Sequence, residues 1–253
     1  MNIITGMHRS GTSAIARIFH EAGADMGDTS TFYRPDIWNP DGYFEQPDIH
    51  AVNMPLIHGP WGRLAYFRLP AEETISKRAE KIHGRIAATT KKYADKLVKE
   101  TRFCLTLNAW RAHGANIQKI LICIREPIET ARSITKRNKI PERFALHLWH
   151  EHYRRLLAQV ADARIWLVHY NHLLADSLRL NEIQGALHFM DLDATRENAD
   201  KIWAAVIKPS MNHQKSTTTF YPLKIEALWR DLTEIHRKQR NDITEHIHEP
   251  SRT

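Results

Sequence analysis

The hydrophobic positions of the chain fall into short unbroken apolar runs separated by stretches with a helical repeat. Runs that do not alternate with polar residues are typical of the central strands of a parallel sheet, because such strands are buried on both faces. The runs that we predict to be strands are, in chain order, the one that ends at Ile4, FCLTLN (103–108), KILICI (119–124) and RIWLVHY (164–170).

Between these runs the apolar residues recur at spacings of four and seven, which predicts helices. The predicted helices are 12–22, a long charged helix over 72–100, one from Pro127 through Arg132, one that starts near Pro141, and two or three more after residue 170. Strands separated by helices, without hairpin signals, favour a three-layer α/β domain with a mainly parallel central sheet flanked by helices. No linker or repeat is visible, so we expect residues 1–253 to form one domain.

Composition narrows the functional classes. Hydrophobic residues make up 42% and charged residues 26% of the chain, close to the average of folded proteins and unlike collagen or a disordered chain. The formal charge of +7 favours an anionic partner, such as a nucleotide, a nucleic acid or an acidic polymer. No apolar stretch reaches the roughly 18 to 20 residues that span a bilayer, and the first apolar run leads directly into a candidate loop. We therefore expect no transmembrane segment, no signal peptide and a cytoplasmic location.

Both cysteines, Cys104 and Cys123, lie inside apolar runs that we predict to be buried strands. A free thiol in such a place behaves as a small hydrophobic group. The sequence therefore predicts no disulfide framework.

The loop after the first strand, GMHRSGTS (6–13), has the context of a phosphate-binding loop, in which backbone N–H groups and a helix N-terminus surround a phosphate. Gly6 and Gly11 have the spacing of a Walker A loop, but Thr12 stands where that motif has its lysine, and the nearest cation is Arg9. An ordinary ATPase is therefore disfavoured. A cation inside the loop suits a ligand whose reacting group is carried on a 5′-phosphate. The alternative is a plain glycine turn after a strand.

These residues resemble the P-loop sulfotransferases, of the bacterial type, that use 3′-phosphoadenosine 5′-phosphosulfate (PAPS). The first loop of that family has the form (K/R)-S-G-T, which RSGT (9–12) matches. A second motif of the family is a strand ending in Arg, then Pro, then a Ser on the next helix. Arg125, Pro127 and Ser133 match it with the same spacing.

Two weaker matches extend the resemblance over residues 3 to about 176. NPDGYFE (39–45) is similar to an N-P-x-G-Y-(F/W)-E segment, and HYNHLLAD (169–176) lies where the family often has Y-E-D-L-L. The chain departs from the family at LNAW (107–110), where many members have K-D-P-R after the third strand. This departure leaves open a non-catalytic nucleotide-binding module. A P-loop kinase-like enzyme is the other alternative, against which Thr12 argues.

The resemblance implies transfer of the sulfuryl group from PAPS to a hydroxyl of an acceptor, which could be a small molecule, a carbohydrate or a lipid. It implies that 3′-phosphoadenosine 5′-phosphate (PAP) is the product, that no metal takes part and that no nucleic acid is bound. The first loop would bind the 5′-phosphosulfate, and Arg125 and Ser133 the 3′-phosphate. The predicted nucleotide-binding residues are Gly6, His8, Arg9, Ser10, Gly11, Thr12, Ser13, Arg125, Ser133 and Lys215. The sequence identifies neither the acceptor nor the oligomeric state.

Sulfuryl transfer, like phosphoryl transfer, builds charge on the bridging and leaving oxygens. Arg9 is predicted to stabilise that charge as a catalytic residue. The acceptor hydroxyl must lose its proton, and members of the resembling family use His or Glu as the base. Glu45 is the first candidate, with His8 and His50 in reserve, and the alternative role for Glu45 is a cap at the start of a helix.

Two segments are candidates for surrounding the ligands. Residues 32–67 hold eight of the 22 aromatic residues, which could form an acceptor pocket or a second core. Residues 208–221 (KPSMNHQKSTTTFY) lack an apolar period and concentrate cations and hydroxyl groups, Lys215 among them. We predict that this stretch is a lid that donates to the nucleotide phosphates, the alternative being an exposed connector.

Overall fold

A computed structural model describes residues 1–59, 68–208 and 221–247, with side chains up to residue 241. Its strands are β1 (Asn2–Thr5), β2 (Leu97–Lys99), β3 (Lys119–Ile124) and β4 (Arg164–His169). They form one sheet in the order β2-β1-β3-β4, and all three neighbouring pairs are parallel.

Helices connect these strands. In chain order they are α1 (Thr12–Glu21), α2 (Pro47–His58), α3 (Glu72–Lys81), α4 (His83–Lys92), α5 (Phe103–Ala112), α6 (Pro127–Asn138), α7 (Glu142–Gln159), α8 (Tyr170–Leu173), α9 (Arg179–Phe189), α10 (Arg196–Val206) and α11 (Leu223–Ile247). A short 3-10 helix covers Thr29–Thr31. Every helix in the described part of the chain is too short or too polar to cross a bilayer.

The sheet is the middle of three layers, because successive strand residues face opposite cores. One core contains Ile3, Val98, Ile120, Ile122 and Leu167 together with side chains of α2 to α7 and α11. The other contains Ile4, Leu97, Leu121, Cys123 and Val168 together with side chains of α1, α9 and α10. The predicted α/β fold, a parallel sheet flanked by helices, is confirmed.

The prediction of a strand at 103–108 is wrong, because these residues form the first half of α5. Five consecutive residues, 103–107, are buried, since α5 packs against α2, α3 and α7 and exposes little of this half. An unbroken apolar run of six residues is compatible with a buried helix as well as with a strand. Cys104 therefore lies in a helix, although both cysteines are buried and free, as predicted.

The prediction of one helix over 72–100 is also wrong. The backbone breaks at Ile82 between α3 and α4, and α4 ends at Lys92. Residues Leu97–Lys99 then form β2, in which every residue is buried, Lys99 included. Helix α2 (Pro47–His58) was not predicted. The other elements up to β4 match the predictions to within a few residues, except that α6 continues to Asn138, and the described residues after β4 contain four helices rather than two or three.

Helix α11 is fixed to the outer edge of the sheet by polar side chains. Gln239 forms the hydrogen bonds that a further strand would make with β4: its Nε2 donates to the carbonyl of Ile165 (2.9 Å), and its Oε1 accepts from the N–H of Leu167 (2.9 Å). Glu182 of α9 is buried and accepts from Arg240 Nη2 (2.6 Å) and from His236 Nε2 (3.0 Å). These contacts satisfy an edge that would otherwise expose unpaired backbone groups.

Candidate active site

A cavity of about 1130 Å³ opens at the carboxyl ends of the strands. Its wall includes a residue that follows each of the four: Arg9 after β1, Arg102 after β2, Arg125 after β3 and Tyr170 after β4. Parallel α/β sheets bind their ligands at this edge, because the loops that leave the strands converge there.

The loop between β1 and α1 depends on its two glycines. Gly6 has a φ of +144°, and a Cβ there would lie 2.5 Å from the carbonyl oxygen of Cys123. Gly11 has a φ of +89°, and a Cβ there would lie 2.1 Å from the ring of Tyr170. Any other residue at these positions would have to displace β3 or the Tyr170 ring.

Arg9 lies at the bend of this loop with a φ of +72°, a left-handed conformation that arginine seldom adopts. Its Nε donates to Ser133 Oγ (2.9 Å), and its Nη1 donates to the carbonyl of Trp38 (3.0 Å). Burial and the nearby guanidinium groups of Arg137 and Arg125 lower the pKa of Arg9. An anion bound here would relieve this crowding of positive charge.

The second predicted anion site lies beside the first. Arg125 immediately follows β3 and is almost fully buried; its Nε donates to Glu129 Oε2 (3.0 Å), and its guanidinium lies 4.7 Å from the centre of the Tyr170 ring. Because Ser133 accepts from Arg9, the two motifs are joined by a direct hydrogen bond although 124 residues separate them in the chain.

The predicted nucleotide-binding residues that the structure describes lie either in the cavity wall or directly beneath it. The cavity wall contains His8, Arg9, Gly11, Thr12, Ser13, Arg125 and Ser133. Gly6 and Ser10 lie beneath the wall, where Tyr153 Oη is 3.0 Å from Ser10 Oγ and 2.5 Å from the carbonyl oxygen of Cys123. Lys215 lies outside the described residues. So does nearly all of the predicted lid over 208–221, of which only the two end residues, Lys208 and Tyr221, are described.

His8 is a neutral member of this wall. Burial, then the neighbouring His152 and the positive charges of Arg102, Arg137 and Arg9, lower the pKa of His8 well below its ordinary value. Its imidazole is therefore uncharged at neutral pH and adds no positive charge to the site.

The segment NPDGYFE (39–45) is fixed to the first loop and to α1. Asn39 Nδ2 donates to Ser13 Oγ (3.1 Å), and Asp41 pairs with Arg17 (3.0 Å) and with Lys208. The segment turns at Gly42, whose φ is +92°. These contacts bring the end of the segment, Glu45, into the cavity wall.

Glu45 is buried and forms an ion pair with Lys99, with 2.5 Å between Oε1 and Nζ. Lys99 Nζ also lies 3.5 Å from Ser13 Oγ, next to the start of α1. The first residue before α2 is Gln46, whose side chain makes no capping bond, so the structure shows an ion pair of Glu45 rather than a cap. Lys99 is a cavity residue that the sequence analysis did not select.

Residues 107–110, where the sequence departs from the family, do not follow a strand. These residues belong to α5, where the amide of Asn108 donates to exposed Glu72 (2.7 Å). The segment that leaves a strand at this edge is Lys-Glu-Thr-Arg (99–102), at the end of β2. Lys99, Thr101 and Arg102 line the cavity.

The described aromatic residues of 32–67 are divided between the cavity wall and the core. Tyr33, Trp38 and Tyr43 line the cavity. Phe32 and Phe44 pack against the core on the α1 side of the sheet, with 5.9 Å between their ring centres. Residues 60–67, with Trp61, Tyr66 and Phe67, lie outside the described part of the chain.

The sequence matches no protein-family model and no curated protein. The structure is similar to that of two mycobacterial sulfotransferases. STF1 from Mycobacterium tuberculosis H37Rv matches over 92% of this chain and 76% of its own, with a TM-score of 0.53 and 15% sequence identity. STF9 from Mycobacterium avium matches over 93% of this chain and 76% of its own, with a TM-score of 0.51 and 12% identity.

The fold is that of these sulfotransferases. At such low identity the similarity concerns the arrangement of strands and helices, a P-loop NTPase-like α/β domain, and this confirms the predicted fold class. A fold does not by itself determine a reaction. The chemistry of this protein therefore depends on the side chains in its cavity.

Proposed function

We propose that this protein is a sulfotransferase that moves the sulfuryl group of PAPS to the hydroxyl group of an acceptor and releases PAP. The observation that supports this most is the convergence of two cationic motifs on one cavity, with Arg9 bonded to Ser133 and Arg125 beside them. A nucleotide with anionic groups on both its 5′ and 3′ positions needs two such sites.

The cavity residues fit this cosubstrate. Gly11 lets the loop pass close to Tyr170, and α1 starts at Thr12 without a side-chain cap on its first N–H groups. Uncapped N–H groups at a helix start attract a phosphate. Arg125 and Ser133 would hold the 3′-phosphate. The guanidinium of Arg125 packs over the ring of Tyr170, and this contact keeps it oriented.

Arg9 and Lys99 are the cations that we assign to the transferring group. Each is fixed before any ligand binds, Arg9 by Ser133 and Trp38, and Lys99 by Glu45. Fixed charges stabilise a developing negative charge without the cost of reorganising at the moment of reaction. No sulfuryl oxygen needs a metal ion under this assignment.

The acceptor's proton must go to a base in the same wall. Glu45 and His50 both lie there, and one donor atom of each is within 4.8 Å of the other. Glu45 also holds Lys99 in place. We therefore assign to Glu45 a catalytic contribution in which its carboxylate acts either as the base or through Lys99.

The acceptor end of the cavity has an apolar wall. Met54 and Ile57 follow His50 on the same face of α2, and Leu69 and Leu105 also line the cavity. An apolar wall favours an acceptor with an apolar body, such as a phenol or a long-chain alcohol, over a highly charged sugar. A panel of such alcohols is therefore the place to begin an acceptor search.

The experiment that tests this function compares ligands and then measures transfer. PAP should raise the melting temperature in the presence of EDTA, whereas ATP with Mg²⁺ should raise it less, because the cavity offers sites for a 3′-phosphate and Thr12 replaces the Walker lysine. Labelled PAPS should then give a labelled sulfate ester with 2-naphthol as the phenolic probe. Stronger stabilisation by ATP and Mg²⁺ would favour a kinase, and PAP binding without transfer to any alcohol would favour a binding module.

Replacing Arg125 by alanine should weaken PAP binding by about 2 to 3 kcal/mol, or roughly 30- to 150-fold, because a charge-assisted contact to the 3′-phosphate is lost. Calorimetry with PAP and with 5′-AMP provides the measurement. The affinity for 5′-AMP, which lacks the 3′-phosphate, should change little. Equal losses for the two ligands would remove Arg125 from the 3′ site.

A further inference from the structure

Helix α2 presents His50 to the cavity one turn from its start. The ring packs edge-on against Tyr33, with 5.1 Å between the ring centres. On its inner side, His50 Nδ1 lies 3.6 Å from Glu100 Oε2. The ring is therefore held between an aromatic face and a carboxylate.

Glu100 is fully buried directly after β2, and one of its oxygens is already held. Oε1 accepts from the backbone N–H of Arg102 (2.9 Å) and from its guanidinium (2.8 Å). Burial raises the pKa of Glu100, but the charge of Arg102 and the contact with His50 lower it more, to about 2. Glu100 is therefore an anion at every pH at which the protein would work.

The second oxygen of Glu100 and Nδ1 of His50 are both buried and have no hydrogen-bond partner among the residues that the structure describes. They face each other just beyond hydrogen-bond length. A carboxylate can only accept, so Nδ1 must carry the proton if the two are to attract each other. The other ring nitrogen, Nε2, then has a lone pair and lies on the side away from Glu100.

The charges around this pair balance without a metal ion. Glu45 and Glu100 supply two negative charges, and Lys99 and Arg102 supply two positive charges, each paired with one carboxylate. A divalent cation would have to approach both positive groups. The unpaired atoms of His50 and Glu100 are better satisfied by one shared proton than by a metal.

We propose that His50 is the base that accepts the proton of the acceptor hydroxyl, and that Glu100 is the positioning residue that orients His50 through Nδ1. This inference rests on the proposed sulfotransferase function and names the group that completes it. Glu45 is the weaker candidate for the base, because Lys99 already holds its Oε1. The arrangement is a carboxylate–histidine pair of the kind that activates hydroxyl groups in acyl transfer.

The acceptor oxygen forms its bond to sulfur while the bond between sulfur and the 5′-phosphate oxygen breaks, and PAP keeps that electron pair. The hydroxyl proton moves to His50 Nε2. The resulting imidazolium is stabilised by Glu100 and later loses its proton to water.

Kinetics of three variants test the pair, with PAPS and 2-naphthol as substrates. His50→Gln should lower kcat about a hundredfold or more, which is typical for loss of a general base. It should also remove the decrease in kcat that the unaltered enzyme should show at acid pH, where its base is protonated. Glu100→Gln should lower kcat at least about tenfold, because the ring loses the carboxylate that orients it through Nδ1. The double variant should be no slower than His50→Gln, since both changes remove one function.

Tyr33 packs against the His50 ring and Glu45 lies close to it, while Lys99 and Arg102 pair with the two neighbouring carboxylates. Glu45, as the other candidate base, needs a control. Glu45→Gln should lower kcat without removing the acid fall of the pH–rate profile. If Glu45→Gln removes it and His50→Gln does not, Glu45 is the base and the inference is overturned. His147→Gln, on the exposed surface of α7, should behave as the unaltered protein.

Nitrogen NMR of the labelled protein tests the pair independently of any activity. The His50 ring should be found with its proton on Nδ1, and Glu100→Gln should change that signal and the tautomer while PAP affinity stays within about twofold. A proton on Nε2 in the unaltered protein overturns the proposal, whether or not sulfuryl transfer occurs. Conversely, an Nδ1 proton that depends on Glu100 supports the pair of His50 and Glu100. If PAPS then proves not to be the sulfuryl donor, that result contradicts only the proposed function.

Discussion

Replacing Arg9 by alanine should lower the turnover of PAPS at least about a hundredfold, with a loss of PAP affinity of about tenfold or less. Arg9 is fixed by Ser133 and Trp38 at the bend of the first loop, where it faces the cavity. Negative charge grows on the bridging and leaving oxygens mainly in the transition state, so the loss should fall on turnover rather than on ground-state binding.

The measurement is kcat and KM with PAPS, together with the dissociation constant of PAP for the same variant. Arg132→Ala is a matched control, because Arg132 lies on α6 close in sequence to Ser133 but pairs with Glu142 on the outer surface. Its turnover should be unchanged. A variant of Arg9 that loses PAP affinity and turnover by the same factor would mean that Arg9 only binds the nucleotide.

Replacing Glu182 by glutamine should lower the free energy of unfolding by about 3 to 5 kcal/mol, the scale observed when one partner of a buried ion pair is removed. Glu182 is nearly inaccessible to solvent and accepts from Arg240, from His236 and from the backbone N–H of His169 (2.6 Å). Without the charge of Glu182, the half-buried Arg240 loses this ion pair beside β4, and the attachment of α11 to the sheet weakens.

Urea unfolding at neutral pH measures this loss. Glu234→Gln is the control, because Glu234 lies on the solvent side of α11 and pairs with Arg237 in solvent. The unfolding midpoint of this variant should stay close to that of the unaltered protein. Burial raises the pKa of Glu182, but Arg240, His172 and His236 lower it well below its ordinary value. A depressed pKa stabilises the fold above the unfolded pKa of about 4.3, so the difference between the two proteins should be constant at neutral pH and shrink only as the pH falls below about 4.

The sequence analysis found the parts of the cavity that lie in local motifs. The loop 6–13, the Arg125 to Ser133 motif and the segment 39–45 are each recognisable from consecutive or closely spaced residues. Their structures follow from local rules, namely glycine where φ is positive and proline at the first turn of α6. The functional roles given to these residues remain predictions.

Sequence patterns did not identify Lys99, Glu100 and Arg102 as residues of the candidate site. They follow a strand of only three residues, which lies at the end of a stretch with a helix-like apolar spacing. A three-residue strand has no period that a sequence pattern can show. The apolar run at 103–108 then favoured a strand where the chain forms the first half of α5.

The sequence by itself determined that the chain is a parallel α/β domain with a glycine-containing loop after its first strand, because buried strands and glycine turns leave their signature in neighbouring residues. Only the tertiary structure decided which distant side chains meet: Arg9 with Ser133, Glu45 with Lys99, and His50 with Glu100. These pairs depend on how the sheet orders its strands as β2-β1-β3-β4, and that order arises from packing between elements that are far apart in the chain.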